Sequence, residues 1–293
     1  YAVYASYQSF PNSTEQALYT IHHAGGETTI AVNQTMGGGT WIYLGNFKFT
    51  AYGKAHERIV LTNQSNKSGK IITADAIKIG GGMGNIARSP LESPYPIEAE
   101  TSGYPRFTEA ARYWLQWAGI PDSIYSKSAF RNDYQDDIYA RPQWVNYLKE
   151  QTHIPIDMAF AFHSDAGTTP DDSIIGTLGI YMSKSNNGIY TNRKSREIAR
   201  NLTDMIQTQI LSDVRKVYNP QWSRRGMWNQ SYIEARIPDV PTMLLELLSH
   251  QNFADMRYGL DPRFRFLICR AIYKGMLRYI CFQNKQEPIV QPL

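Results

Sequence analysis

The stretch DMAFAFHSDAG, residues 157–167, decides how the second half of the chain is read. An unbroken apolar run of strand length ends abruptly in a histidine, a serine and an aspartate. A strand without polar alternation is covered on both faces, as in sheets flanked by helices. Its polar end then stands at the sheet rim, where α/β folds gather their reactive groups. His163 is the first of those rim residues.

Working outward, the same rhythm continues on both sides. IIGTLGIYM and VPTMLLELL read as further buried strands, and RFTEAARYWLQWAG as a helix closing at Gly119. DDIYARPQWVNYLKEQ is a second helix, in which Pro142 must sit near the start or kink the chain. SREIARNLTDMIQTQILSDVRKVY sets Ile198, Leu202, Met205, Ile206 and Ile210 on one helical stripe, and PRFRFLICRAIYKGMLRYI makes a last helix. Helices alternating with buried strands predict an α/β domain over 105–293, a twisted sheet with helices on both faces.

Before it, residues 1–88 have a different texture. Short runs rich in Tyr, Thr, Val and Ile, such as ALYTIHH, TTIAVNQ and RIVLTNQ, are separated by Gly and Asn clusters. This spacing predicts an all-β sandwich, jelly-roll-like. The two GGG runs lack the Lys-Ser or Lys-Thr of a phosphate loop and read as turns. His22 and His23 are neighbours on a strand, point to opposite faces and make poor joint metal ligands. Residues 89–104, SPLESPYPIEAETSGY, carry three prolines without periodicity and read as a linker.

Composition narrows the function classes. The net charge of +4 is spread along the chain rather than gathered in a stripe, which argues against nucleic acid as a partner. No apolar run approaches the roughly 20 residues of a membrane span, so no transmembrane segment is expected. The start YAVYASYQSF has neither Met nor the layout of a signal peptide, and the chain reads as a mature or trimmed fragment. Cys269 and Cys281 fall on one helix roughly 18 Å apart, too far to bridge.

Glu246 is the residue that turns the α/β half toward chemistry. It lies in PTMLLELLSHQN between leucines, and an ionised carboxylate out of water needs compensation. A cation, a hydrogen-bond network or a metal-bound water would each serve, the last making Glu246 a general base with a raised pKa. A structural pair with Arg225 or Arg236 is the plainer alternative. His163 and Glu246 on two strand ends of one domain point to zinc hydrolysis, which normally takes three protein ligands and an open position. His163 is the one clear ligand; Asp165, Asp171 and Asp172 follow on its turn, and His250 lies four residues beyond Glu246.

These residues carry a resemblance. The order of SIYS, an Arg-containing helix, DMAFAFHSDAG and PTMLLELLSHQNFADM over about residues 105–282 resembles the zinc-dependent N-acetylmuramoyl-L-alanine amidases. The resemblance implies that His163 binds the metal, that Glu246 is catalytic, and that Arg131, Asp133 and Arg141 match an R…D…R segment. Asp165, Arg141 and His250 then become candidate substrate-binding residues, peptidoglycan the substrate, and the periplasm, cell surface or exterior the location. YTIHHAGG, VNQTMGGGTWIYLG and ITADAIKIGGG resemble the golvesin C-terminal-like sandwich found in bacterial proteins often labelled xanthan lyase. The amidases take two further zinc ligands, a histidine in a GHGG-like segment and a glutamate, and nothing before residue 105 matches them. The implied metal site is therefore half present.

Two other classes stay open. The chain could be a non-catalytic glycan-binding surface protein, with Trp41, Tyr43 and Tyr19 as stacking residues, or a polysaccharide lyase. The first predicts polysaccharide binding without metal; the second predicts an unsaturated uronate product.

Overall fold

The computed structural model describes residues 1–290 apart from 40, 51–55, 66, 81–105, 109, 130, 168 and 170. They gather into two compact units, Tyr1–Pro155 and Ile156–Leu293. The linker expected at 89–104 lies outside the described residues. The helices before residue 155, which the sequence reading attaches to the α/β half, cluster instead with the sandwich strands.

Aromatic packing explains that placement. Strands β1 (Ala2–Ser6), β4 (Ile42–Asn46) and β6 (Ala76–Ile79) form one antiparallel sheet in the order β4-β1-β6. Tyr4 on β1 meets Trp117 edge-on at 5.2 Å between ring centroids, and Lys78 on β6 donates to the Trp117 carbonyl oxygen at 3.1 Å. Trp117 ends helix α1 (Ala111–Trp117), so the helical segment is fastened to the sheet by an apolar ring and a cation together. Trp41 belongs to the same contact, with the Lys78 ammonium 4.4 Å from its ring centre.

The second sheet of this unit, β3-β2-β5, consists of β2 (Ala17–His23), β3 (Gly26–Val32) and β5 (Arg58–Leu61), again antiparallel. Alternation along β2 sends Ala17, Tyr19 and Ile21 inward, where they meet Val3, Ala5 and Leu44 from the first sheet. Tyr19 is therefore core, its hydroxyl accepting a hydrogen bond from Gln34 Nε2 at 3.1 Å, and it offers no stacking face. Gly37 and Gly39 of the first GGG run have φ of +76° and +80°, the left-handed backbone that makes this run a turn.

Helices α2 (Asp122–Tyr125) and α3 (Asp133–Glu150) complete the unit around Leu115, Ala118, Ile120 and Ala140. The Asn132 side chain accepts from Gln135 N at 3.0 Å and starts α3 earlier than periodicity suggests. Pro142 consequently falls inside the helix, not near its start.

The second unit holds a four-stranded mixed sheet, β7-β10-β8-β9. Its strands are β7 (Ala159–Asp165), β8 (Thr177–Tyr181), β9 (Arg224–Asn229) and β10 (Thr242–Ser249). β7 runs parallel to β10, β10 antiparallel to β8, and β8 parallel to β9. Met243, Leu245 and Leu247 of β10 face helices α4 (Ile198–Val217) and α7 (Pro262–Gln283), burying Leu202, Ile206, Ile210, Phe264 and Ile268. Residues 202, 206 and 210 are the stripe that periodicity predicts. Leu244 points the other way, into a small cluster with Leu178, Ile180 and Ala161. Short helix α5 (Ile233–Arg236) packs against β10 and β8. Helix α6 (Phe253–Gly259) follows β10.

Cys269 and Cys281 both lie on α7 as free thiols. Among the described residues no helix is long and apolar enough to cross a membrane.

Candidate functional site

The site lies on the sheet face opposite α4 and α7. In the parallel pairing of β7 with β10, His163 is the register partner of Glu246. Ala161, His163 and Asp165 share one side of β7 by alternation, and Leu244 and Glu246 share the same side of β10. One imidazole and one carboxylate thus stand side by side above an apolar floor of Ala161, Leu244 and Leu178.

Glu246 is half-buried, and its Oε2 is fully enclosed without a hydrogen-bond partner among the described residues. Burial pushes its carboxyl above the ordinary value; nearby His163 and Arg225 pull it down, and Asp165 and Glu234 push it up, with burial prevailing. The arginine pair that would have made Glu246 merely structural does not form with Arg225. That guanidinium binds Asp165 instead, Nη1 to Oδ2 at 2.7 Å.

Asp165 shows the opposite balance. Burial raises its carboxyl, but the Arg225 hydrogen bond and the Gly167 N–H, 3.0 Å from Oδ1, outweigh it and hold the group below the usual range. Two carboxyls on one face are therefore driven apart, Asp165 toward the ionised form and Glu246 toward the protonated one, the division of labour that acid–base sites require.

Two residues here have roles that the sequence does not reveal. Glu234, on the four-residue helix α5, places Oε2 2.9 Å from His163 Nε2 and is largely buried. Nothing in a four-residue helix has enough periodicity to announce itself. Arg225 reaches Asp165 because the β8–β9 register slips: Thr177 pairs Arg224 while Leu178 pairs Gly226. The extra residue is a bulge that re-aims its side chain. Gly226 has φ of +142°, a backbone that a side chain strains. Gly226→Ala is expected to cost about 1–3 kcal/mol and to loosen the Arg225–Asp165 pair. A urea midpoint unchanged from wild type would refute that role for the bulge.

The remaining candidates have partners of their own. His250 donates its N–H to the Asp165 carbonyl at 3.0 Å, and its Nδ1 lies 3.0 Å from Ser164 Oγ. Ser164 leaves β7 on the face opposite His163, so His250 joins the strand end but not the Glu246 face. Asp171 accepts from Ser173 N at 3.2 Å within its own turn, and Asp172 accepts from Ala254 N, in the first turn of α6, at 3.1 Å. Arg141 and Arg131 belong to the first unit, where Arg141 pairs with Asp137 at 3.6 Å and Arg131 Nε donates to the Ser128 carbonyl at 3.2 Å. Tyr43 is exposed with its ring tilted against Tyr4 at 5.4 Å; Trp41 is half-buried. In the same unit His22, His23 and His56 line an open pocket with Glu27 and Glu57. Neither there nor at His163 do the described residues contain a group of three His, Cys, Asp or Glu arranged to hold a metal ion.

Comparison with known proteins gives separate results for the two parts. Residues 1–81 match the Golvesin C-terminal domain. No curated protein matches the chain. Among solved structures, the N-acetylmuramoyl-L-alanine amidase of Clostridium difficile 630 aligns at 18% identity over 54% of this chain and 78% of that one, with a TM-score of 0.36. The CwlD amidase of Clostridioides difficile, solved with the GerS lipoprotein, aligns at 14% identity over 60% and 83%, with a TM-score of 0.41. Ami1 of Mycobacterium smegmatis aligns at 16% identity over 60% and 74%, with a TM-score of 0.39.

Proposed function

We propose that the second unit hydrolyses an amide bond, with peptidoglycan or a related cell-wall glycopeptide as substrate and Glu246 as general base and then general acid. The observation that carries this reading is a half-buried carboxylate with an unpartnered oxygen beside an imidazole on an adjacent strand. In the ionised form Glu246 takes a proton from water as the water oxygen attacks the amide carbonyl. It then gives that proton to the leaving nitrogen as the C–N bond breaks, releasing a carboxylic acid and an amine. The apolar floor beneath it keeps the carboxyl's proton affinity high enough for the second transfer.

Glu234 Oε2 lies 2.9 Å from His163 Nε2, so these two donor atoms already face each other. An imidazole nitrogen and a carboxylate oxygen are the donor chemistry that zinc takes, and we propose that His163 and Glu234 hold it. With two donors in place, the remaining ones would come from outside the described residues. When bound, zinc would supply Lewis-acid polarisation of the carbonyl and of the attacking water. The proposed location is outside the cytoplasm, where peptidoglycan lies.

Protein supplied with zinc is expected to release an α-amino group from N-acetylmuramoyl-L-alanine peptides. His163→Ala should lose both the release and most of the bound zinc, and zinc retention in that variant would remove His163 from the metal site. Since Glu246 must be ionised to accept the proton and burial favours its neutral form, the acid limb of kcat/KM should fall above 4.5, the ordinary glutamate value. A limb below that value, persisting in Glu246→Asp, would assign the base elsewhere.

A further inference from the structure

Helix α7 carries charge of one sign. Its sequence PRFRFLICRAIYKGMLRYICFQ holds five cations, Arg263, Arg265, Arg270, Lys274 and Arg278, and no carboxylate. Lys274 pairs with Asp213 of α4, whereas among the described residues the four arginines have no ion-pair partner. One side of the helix packs on the core through Phe264, Ile268, Ala271 and Ile272. Gly275 lets α7 approach α4 so closely that an added Cβ would lie 2.6 Å from Ile206 Cα. The rotation of α7 about its own axis is thereby fixed, and with it the side turned to solvent.

That side is not purely polar. Phe266, Tyr273 and Ile280 are 61%, 50% and 37% exposed and recur at every seventh residue, which sets them in a row about 21 Å long. The exposed thiol of Cys269 falls beside the row, one turn before Tyr273. Arg263, Arg270 and Arg278 follow the neighbouring flank of the same helix, so an apolar row and a basic row run side by side. Apolar side chains exposed singly are ordinary, but a row of large ones marks a surface that another body covers.

We propose that α7 docks lengthwise on an anionic lipid bilayer, with Phe266, Tyr273 and Ile280 set into the headgroup region and Arg263, Arg270 and Arg278 against lipid phosphates. Charge selects the partner. A second copy of this helix would bring five cations against five with no acid between them, and like charges repel. Shape favours a bilayer over an acidic protein: the apolar row is a convex ridge backed by the core, and a bilayer yields to such a ridge where a folded partner needs a matching groove. Arginine stems cover apolar surface while the guanidinium heads bind phosphate through paired N–H donors. The helix lies on the bilayer and does not span it. Membrane docking is independent of the hydrolase reading, because Glu246 stands on the opposite face of the sheet, turned away from the lipid.

Sedimentation of the intact protein with vesicles tests this. Binding is expected to vesicles of phosphatidylglycerol mixed with phosphatidylcholine, and not to phosphatidylcholine alone. Each arginine near an anionic surface strengthens binding about fivefold, so Arg270→Gln and Arg278→Gln together should weaken it about 25-fold. Phe266→Ala and Tyr273→Ala together should weaken it about tenfold. All four side chains face solvent, so both double variants should melt at the wild-type temperature. Cys269 gives a reading without any substitution: an environment-sensitive fluorophore on its exposed thiol should shift its emission to the blue with phosphatidylglycerol vesicles, while Cys281 is buried. Sedimentation no greater than with phosphatidylcholine alone, or an unmoved emission, would overturn the proposal. Vesicle binding that Phe266→Ala and Tyr273→Ala leave unchanged, matched by binding to soluble poly-glutamate, would give the basic row to an acidic polymer and overturn it as well. A dimer that Phe266→Ala dissociates, formed in place of vesicle binding, would give the face to a second copy.

Discussion

Replacing Glu246 by glutamine is expected to slow amide hydrolysis by about 10²–10⁴-fold while the protein stays folded. The substitution keeps the shape of the side chain and removes its ability to accept a proton. It also removes a carboxylate whose Oε2 is enclosed without a partner. Burial holds the Glu246 carboxyl above its unfolded-state value, so the folded protein binds that proton more tightly. The contribution is favourable only where the group is protonated, and it becomes a cost as pH rises through the raised folded value. At neutral pH the glutamine variant should therefore melt at or above the wild-type temperature. Loss of activity accompanied by a large fall in melting temperature would mean that Glu246 holds the fold rather than the chemistry.

The largest effect on stability is expected at the other side of the same sheet. Trp222 is fully buried, and its Nε1 donates to Thr177 Oγ1 at 2.9 Å. Thr177 Oγ1 in turn donates to the Leu247 carbonyl at 3.1 Å, so the indole is tied through the first residue of β8 to β10. Its ring meets Tyr258 edge-on at 5.3 Å and Phe264 at 5.5 Å. Trp222→Ala removes the ring contacts, leaves a cavity and takes away the hydrogen bond that Thr177 Oγ1 accepts, which together should cost about 3–5 kcal/mol. Whole domains are stable by about 5–15 kcal/mol, so the second unit should lose a substantial part of its margin. Urea unfolding followed by circular dichroism reads the change; a shift under about 1 kcal/mol would mean that the Trp222 pocket collapses around the gap.

The pairing of His163 with Glu246 was legible because strands obey a period of two. Once both apolar runs are read as strands of one sheet, only register decides whether their polar residues meet. The leucines around Glu246 marked it as a carboxyl in need of an explanation, and its Oε2 has no hydrogen-bond partner among the described residues. Glu234 was invisible because one turn of helix has no pattern, and only the fold brings it to His163. Arg225 was offered as an alternative partner of Glu246, and the bulge, a break in the alternation the reading relied on, carries it to Asp165 instead. His250, four residues past Glu246, would share its face on a helix, but the chain there leaves a strand into a turn and carries the ring to Ser164. The helices before residue 155 cluster with the sandwich strands through contacts among Tyr4, Lys78 and Trp117, which sequence order does not announce.

The claim that most of this rests on is that His163 and Glu246 act as one unit on one substrate bond. Amide hydrolysis measured for the wild type, His163→Ala, Glu246→Gln and the double variant tests it directly, since residues that share one step lose their effect together. The account predicts that the double variant is no slower than the slower of the two single variants. Losses that multiply in the double variant would show two independent contributions and contradict it.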